Sequence, residues 1–141
     1  MSGLDLSRIT VGTRLPSLTV RFTRETLVRY AGASTDFNPI HYSNFYAAQV
    51  GLPGVIGHGM LTMGTALRVV TDWVGDPARV RSYFVRFTKP VVVPDDADGT
   101  EVVFGGVVEA VEDALVTIVI EAVSGEVKVL GAARAVVDLA E

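Results

Sequence analysis

Cysteine does not occur anywhere in the 141 residues. No disulfide, thiolate metal site or cysteine nucleophile is therefore open to this chain, which fits a reducing compartment. A basic excess is missing as well. The formal net charge is −4, which argues against nucleic acid as the main partner. No apolar run is long and pure enough to span a bilayer. The opening Met1-Ser2-Gly3-Leu4-Asp5-Leu6 lacks the basic-then-apolar order of a signal peptide. No membrane partner is expected, and the expected location is the cytoplasm. Histidine is scarce: His41 and His58 are the only two, and both lie between positions 30 and 62.

What is present describes a folded domain. Hydrophobic residues make up 49% and charged residues 20%, a balance that disordered chains do not have. The length suits one domain, residues 1–141, with a real core. Alternation at Leu18-Thr19-Val20 predicts a strand. Thr23 reads as a helix N-cap, with Glu25 in the first turn where the helix dipole favours it. The helix continues to Ala33, with Leu27, Tyr30 and Ala31 on one face. Pro39 disfavours helix at Asn38, so 36–41 is an ordered turn. A short helix over 42–50 should turn Phe45 and Ala48 inward. Met60 to Trp73 is the longest helix expected, apolar nearly all round and therefore buried, and Gly75 stops it. Met60, Met63 and Trp73 read most simply as core.

After Arg79 the pattern changes to period two, and strands are expected at 79–90, 99–111, 114–124 and 126–138. In the third, Ala114, Val116, Ile118, Ile120 and Ala122 share a face. In the last, Val127, Val129, Gly131, Ala133, Ala135 and Val137 do. The fold class is α+β: an antiparallel sheet of about five strands wrapped around a long central helix. The open edges of such a sheet predict edge-to-edge pairing with a second subunit.

The chemistry concentrates in Asp36-Phe37-Asn38-Pro39-Ile40-His41 and Gly57-His58-Gly59-Met60-Leu61-Thr62. An aspartate and a histidine are a general acid/base pair by type. Asn38 can hydrogen-bond either one, and Pro39 stiffens the turn. On residue types alone, a helix cap plus an ordinary surface histidine explains the same segment. Gly59 precedes an apolar helix whose first N–H groups can hold an oxyanion; the plainer reading is loop punctuation. His58 reads as structural or gating. Thr62, one turn on, is placed to support Asp36, or to bond its own helix backbone. Arg21, Arg24, Arg29, Arg79, Arg81, Arg86 and Lys89 cluster in sequence around the elements expected at the mouth. They suit a CoA phosphate, a phosphopantetheine or an acidic carrier, or are ordinary solvated charge.

Together these segments resemble the MaoC-like (R)-specific hydratase/dehydratase family of hot-dog proteins. The resemblance rests on Tyr30-Ala31-Gly32-Ala33-Ser34-Thr35-Asp36-Phe37-Asn38-Pro39-Ile40-His41, then Ala47, then Gly57-His58-Gly59-Met60-Leu61-Thr62, and extends through Val85-Arg86-Phe87 and Pro90. One position departs: Thr35 stands where the pattern usually has glycine, which bears on turn geometry and on rate more than on role. His58 to Gly64 and Trp73 to Pro77 look most similar to one branch, the catalytic beta subunits of actinobacterial (3R)-hydroxyacyl-ACP dehydratases.

The resemblance implies Asp36 and His41 as the catalytic pair, Asn38 and Thr62 as supporting residues and the Gly59 N–H as the oxyanion donor, with no cofactor and no metal. It implies an acyl-ACP or acyl-CoA substrate in fatty acid elongation. It also implies a partner, either a related hot-dog subunit or a second copy. Alternatives that stay open are a homodimeric (R)-specific enoyl-CoA hydratase of β-oxidation, a hot-dog thioesterase, and a non-catalytic acyl-binding subunit.

Overall fold

The computed structural model describes residues 4–140. Met1-Ser2-Gly3, part of the start read above for a leader, lie outside the described residues, as does Glu141. The elements run β1 (Arg14–Phe22), α1 (Arg24–Ser34), α2 (Asn44–Gln49), α3 (Gly59–Val74), β2 (Val80–Phe87), β3 (Thr100–Glu112), β4 (Leu115–Ser124), β5 (Val127–Lys128) and β6 (Leu130–Asp138). One antiparallel sheet of six strands has the order β1-β3-β4-β6-β2, with the short β5 pairing with β4 off that path. The long helix α3 packs on β1, β3, β4, β6 and β2 in turn, so the sheet wraps it as expected.

Local signals explain most boundaries. Thr23 caps α1 through a reciprocal bond with Thr26, satisfying N–H groups that a helix start leaves free. Gly75 ends α3 at φ 74°, a conformation glycine adopts without a Cβ penalty. Strand β1 is longer than the alternation showed, because Pro16 sits inside it. A bulge between Leu15 and Leu18 accommodates the ring, and proline is tolerated on an edge strand, where its missing N–H breaks no ladder.

The core lies between α3 and the sheet. Thr62, Ala66, Val69 and Val70 are the buried face of α3. Of these, Ala66, Val69 and Val70 join Val102, Phe104 and Val108 of β3, Val116, Ile118 and Ile120 of β4, and Ala133, Ala135 and Val137 of β6 in one apolar cluster. Gly106 permits the close approach. A Cβ there would lie 3.2 Å from Ile118 and 3.3 Å from Val69, tighter than ordinary packing tolerates.

Four expectations need correction. The helix α3 is not apolar all round: Gly64, Arg68 and Asp72 form an exposed stripe, and Met60, expected in the core, is 59% exposed. In α2 the buried residue is Ala47, while Phe45 is 75% exposed and Ala48 is exposed. The phase is one residue off because Ser43 caps the helix and turns Ala47 to the core. The last predicted strand is two, β5 and β6. A bulge opposite β2 between Phe84 and Arg86, with Ala132 at φ 47°, resets the alternation. Val129 and Leu130 are both buried as a result, whereas Val127 is exposed and Gly131 is half-buried.

Candidate active site

The turn that carries Asp36 and His41 is built from its own side chains. Asn38 accepts from the Ile40 N–H and caps a single 3-10 turn, Pro39–His41, whose φ the Pro39 ring presets. That turn swings His41 inward to 8% exposure. Asp36 stays at the rim, its Oδ1 accepting from the Asn38 N–H at 3.2 Å. Thr35 makes the break from α1 in a left-handed conformation, φ 60°. This is the position where the resembled pattern has glycine. Threonine meets the geometry at a steric cost that glycine lacks.

The pair is brought together as expected. Asp36 Oδ2 lies 3.8 Å from His41 Nε2. The other ring nitrogen, Nδ1, is 2.7 Å from the Ile56 carbonyl oxygen. A carbonyl only accepts, so Nδ1 carries the hydrogen, and in the neutral ring the lone pair is on Nε2, the nitrogen nearer Asp36. Behind His41 stands His58, stacked on it with ring centroids 3.7 Å apart and its Nε2 3.1 Å from the Asp36 carbonyl oxygen.

Both residues face a cleft of about 510 Å³. Ile40, Leu52, Ile56, Met60, Val91 and Leu130 make its walls apolar, and Phe87 and Lys89 stand along it. Gly59, the first residue of α3, opens onto this space. No acceptor among the described residues takes its N–H, one of the free groups that carry the positive end of the helix dipole. A Cβ on Gly59 would lie 3.1 Å from the Phe87 ring, so glycine lets that ring close against the helix start. The arrangement offers a proton acceptor, a carboxylate and an oxyanion donor around one apolar slot. That set suits proton transfer beside a polarised carbonyl.

The supporting residues sit near the pair and act differently from expectation. The Asn38 side chain bonds to Ile40 and to neither Asp36 nor His41; only its backbone N–H holds Asp36. Thr62 is buried and lines the cleft, but no hydrogen bond joins it to Asp36. Five of the six arginines are engaged by other partners. Arg21 pairs with Glu101, Arg29 with Glu25 and Arg81 with Asp138. Arg24 bonds the Val93 carbonyl and Asn44. Arg79 reaches the Asp138 and Ala140 carbonyls. Of that cluster, Lys89 lines the cleft. Sequence reasoning missed the wall residues Ile40, Leu52 and Val91, since nothing separates a tunnel wall from core in composition.

Asp36, His41 and His58 present donor atoms within 4.8 Å of one another. The two imidazoles lie face to face, 21° from parallel, and each already has one nitrogen on a carbonyl. Parallel rings cannot aim their remaining lone pairs at one ion about 2 Å from each, so the cluster fits acid/base chemistry better than a metal.

Comparison with known proteins supplies the family. The family model "MaoC like domain" matches residues 9–125. Fatty acid synthase subunit beta of Saccharomyces cerevisiae is 35% identical over 89 residues, 62% of this chain and 4% of that protein. 3-Hydroxyacyl-thioester dehydratase X of Mycobacterium tuberculosis is 39% identical over 82 residues, 58% of this chain and 28% of that protein. The chain thus spans a small part of both. It covers more of the 3-oxo-4,17-pregnadiene-20-carboxyl-CoA hydratase beta subunit of Mycobacterium tuberculosis: 32% identity over 108 residues, 77% of this chain and 80% of that one.

Among solved structures, a MaoC-like dehydratase superposes with TM-score 0.91 at 36% identity, covering 96% of this chain and 42% of its own. The (R)-hydratase from A. caviae involved in PHA biosynthesis gives 0.81 at 25%, covering 94% and 98%. The ChsH1-ChsH2 complex of Mycobacterium tuberculosis gives 0.80 at 25%, covering 93% of this chain and 98% of the matched chain. No helix among the described residues is long and apolar enough to cross a membrane. The sheet wrapped on α3, the Asp36–His41 pair and these matches place the chain in the MaoC-like dehydratase/hydratase family of hot-dog proteins, a family of hydro-lyases.

Proposed function

We propose that this chain is a cytoplasmic (3R)-hydroxyacyl thioester dehydratase and, in reverse, an (R)-specific trans-2-enoyl thioester hydratase, acting on ACP- or CoA-bound chains in fatty acid elongation. One observation carries the reading: His41 Nε2 and the Asp36 carboxyl group, 3.8 Å apart, share an apolar cleft with the free N–H of Gly59.

The thioester oxygen accepts from the Gly59 N–H, which stabilises the enolate that forms when C2 loses its proton. In dehydration His41 Nε2 takes that proton. Asp36, in its acid form, gives a proton to the C3 hydroxyl, and the C3–O bond breaks to release water. His41 is then an imidazolium and Asp36 a carboxylate, and a proton passing between them restores the pair. Hydration runs the same steps backward. Asn38 holds Asp36 through its backbone and stiffens the turn through its side chain. Thr62 forms part of the cleft wall. The partner is a related hot-dog subunit or a second copy. The MaoC-like dehydratase whose chain this one covers to 42% has length for two such units.

The test is to give the purified chain a trans-2-enoyl-CoA and the matching enoyl-ACP, and to follow both loss of the conjugated thioester and release of free thiol. Water addition to give the (3R)-hydroxy product supports the reading. Thiol release without hydration makes the chain a thioesterase. Activity on the CoA ester without a second subunit favours the homodimeric hydratase form.

A further inference from the structure

His58 takes no part in the proton chemistry proposed above, yet its ring is only 1% exposed and touches both residues that do. It occupies the N-cap position of α3 without capping that helix. Its Nε2 points instead at the Asp36 carbonyl oxygen, 3.1 Å away. Its face lies on the His41 ring, with centroids 3.7 Å apart and planes 21° from parallel. Tyr30 of α1 packs on it at 4.8 Å in an edge arrangement. Its Nδ1 is buried with no hydrogen-bond partner. An orphaned polar atom of this kind costs free energy and calls for a reason.

We propose that His58 is a positioning residue for the acid/base pair: its Nε2–H ties down the backbone that carries Asp36, and its ring face backs the imidazole of His41. The geometry settles the tautomer, since a carbonyl only accepts and Nε2 must then hold the hydrogen. Nδ1 is left with a lone pair and no donor. Charging the ring would bury an N–H with no acceptor, against the face of an imidazole that itself takes a proton during turnover. The titratable groups facing His58 are Tyr30, Asp36 and His41. Burial pushes the His58 imidazole below its ordinary range, and His41 pushes the same way, while the hydrogen bond to the Asp36 carbonyl and the Asp36 charge oppose them. A neutral ring of fixed orientation can support a neighbour that charges and discharges. A charged one would repel it.

This inference rests on the proposed function only for its kinetic readout. Three variants separate the two contacts. His58→Gln keeps a donor near the Nε2 position and loses the flat face. His58→Phe keeps the face and loses the donor. His58→Ala loses both. Hydration of an enoyl thioester should fall roughly 10–10²-fold in His58→Ala, the scale expected when a reacting group is misplaced by about 1 Å. The loss should lie in kcat with KM little changed, and Gln and Phe should each recover part of it. Nitrogen-15 NMR reads the imidazoles without any substrate. In the parent chain His58 should be neutral with its hydrogen on Nε2, and His41 should carry its hydrogen on Nδ1. In His58→Ala the His41 ring should mix tautomers.

Folded variants with parent-like kcat and an unchanged His41 ring would overturn the inference. A parent His58 that is charged near neutral pH, or hydrogenated on Nδ1, would overturn it even if no variant folds. A parent chain inactive on enoyl thioesters would count against the proposed function alone, because the NMR readings decide this inference independently.

Discussion

At the scale of single residues, a hydrogen-bond donor can be separated from bulk. Gly59 is the first helical residue of α3, where proline fits because its missing N–H has no intrahelical acceptor. The preceding His58 is extended, with φ −60° and ψ 130°, as a residue before proline must be. Gly59→Pro should therefore leave a folded chain that has lost the oxyanion donor. Turnover is expected to fall roughly 10²–10³-fold. Gly59→Ala keeps the N–H and displaces only the half-exposed Phe87 ring, so its loss should be smaller. Steady-state kinetics on the two variants checks the order; equal losses would mean that space rather than the donor matters. Thr35 gives a second test. Its left-handed φ of 60° is strained for a β-branched residue, so Thr35→Gly should be neutral or stabilising by up to about 1 kcal/mol in thermal melts.

At the scale of elements, the legible parts were those whose period repeats. In β4, Val116, Ile118, Ile120 and Ala122 are buried as their alternation required. Thr23 and Gly75 mark the ends of α1 and α3 as their chemistry required. Short or interrupted elements misled. In α2 fewer than two turns of helix leave little period to read, and the inward residue was missed by one position. In β6 a bulge at Ala132 breaks the phase; Gly131 beside it is the signal that marks such a break, and it was read as one more inward position. The site was legible in its residue types but not in its bonds. Asp36 and His41 meet, whereas the Asn38 side chain closes its own turn, because a local Asx bond needs no tertiary fit. The sheet–helix core should carry stability without carrying rate. Phe104 of β3 is 0% exposed, and Phe104→Ala is expected to cost about 3–5 kcal/mol by denaturant titration, with kcat at a permissive temperature little changed.

At the scale of the whole molecule, the two sheet edges differ. Strand β1 presents Arg14, Pro16, Thr19 and Arg21 as exposed residues, a charged and proline-bearing edge that resists pairing. Strand β2 leaves Phe84 and Phe87 each 55% exposed. A related hot-dog subunit or a second copy should pair there, and Phe84→Asp should shift sedimentation toward a smaller species; an unchanged mass distribution would put the partner elsewhere.

Folding stability should also depend on acid. Below about pH 6.5 the unfolded chain binds a proton at His58 that the folded chain refuses, because burial holds its imidazole low. The unfolded state then binds more protons, so stability falls as pH falls through that range, by at most about 1.4 kcal/mol per pH unit for this group. Melts of the parent and of His58→Phe from about pH 7.5 to 5 check this. The variant, without a ring to titrate at that position, should lose less.

The central claim is that Asp36 and His41 exchange protons with a thioester held at Gly59. Its most direct measurement is hydration of an enoyl thioester by Asp36→Asn and His41→Gln, each confirmed to melt cooperatively like the parent. The account predicts that each variant loses roughly 10²–10⁴-fold in kcat/KM, and that the double variant is little worse than the singles because the two groups act as one unit. Parent-like turnover in either folded variant would contradict it.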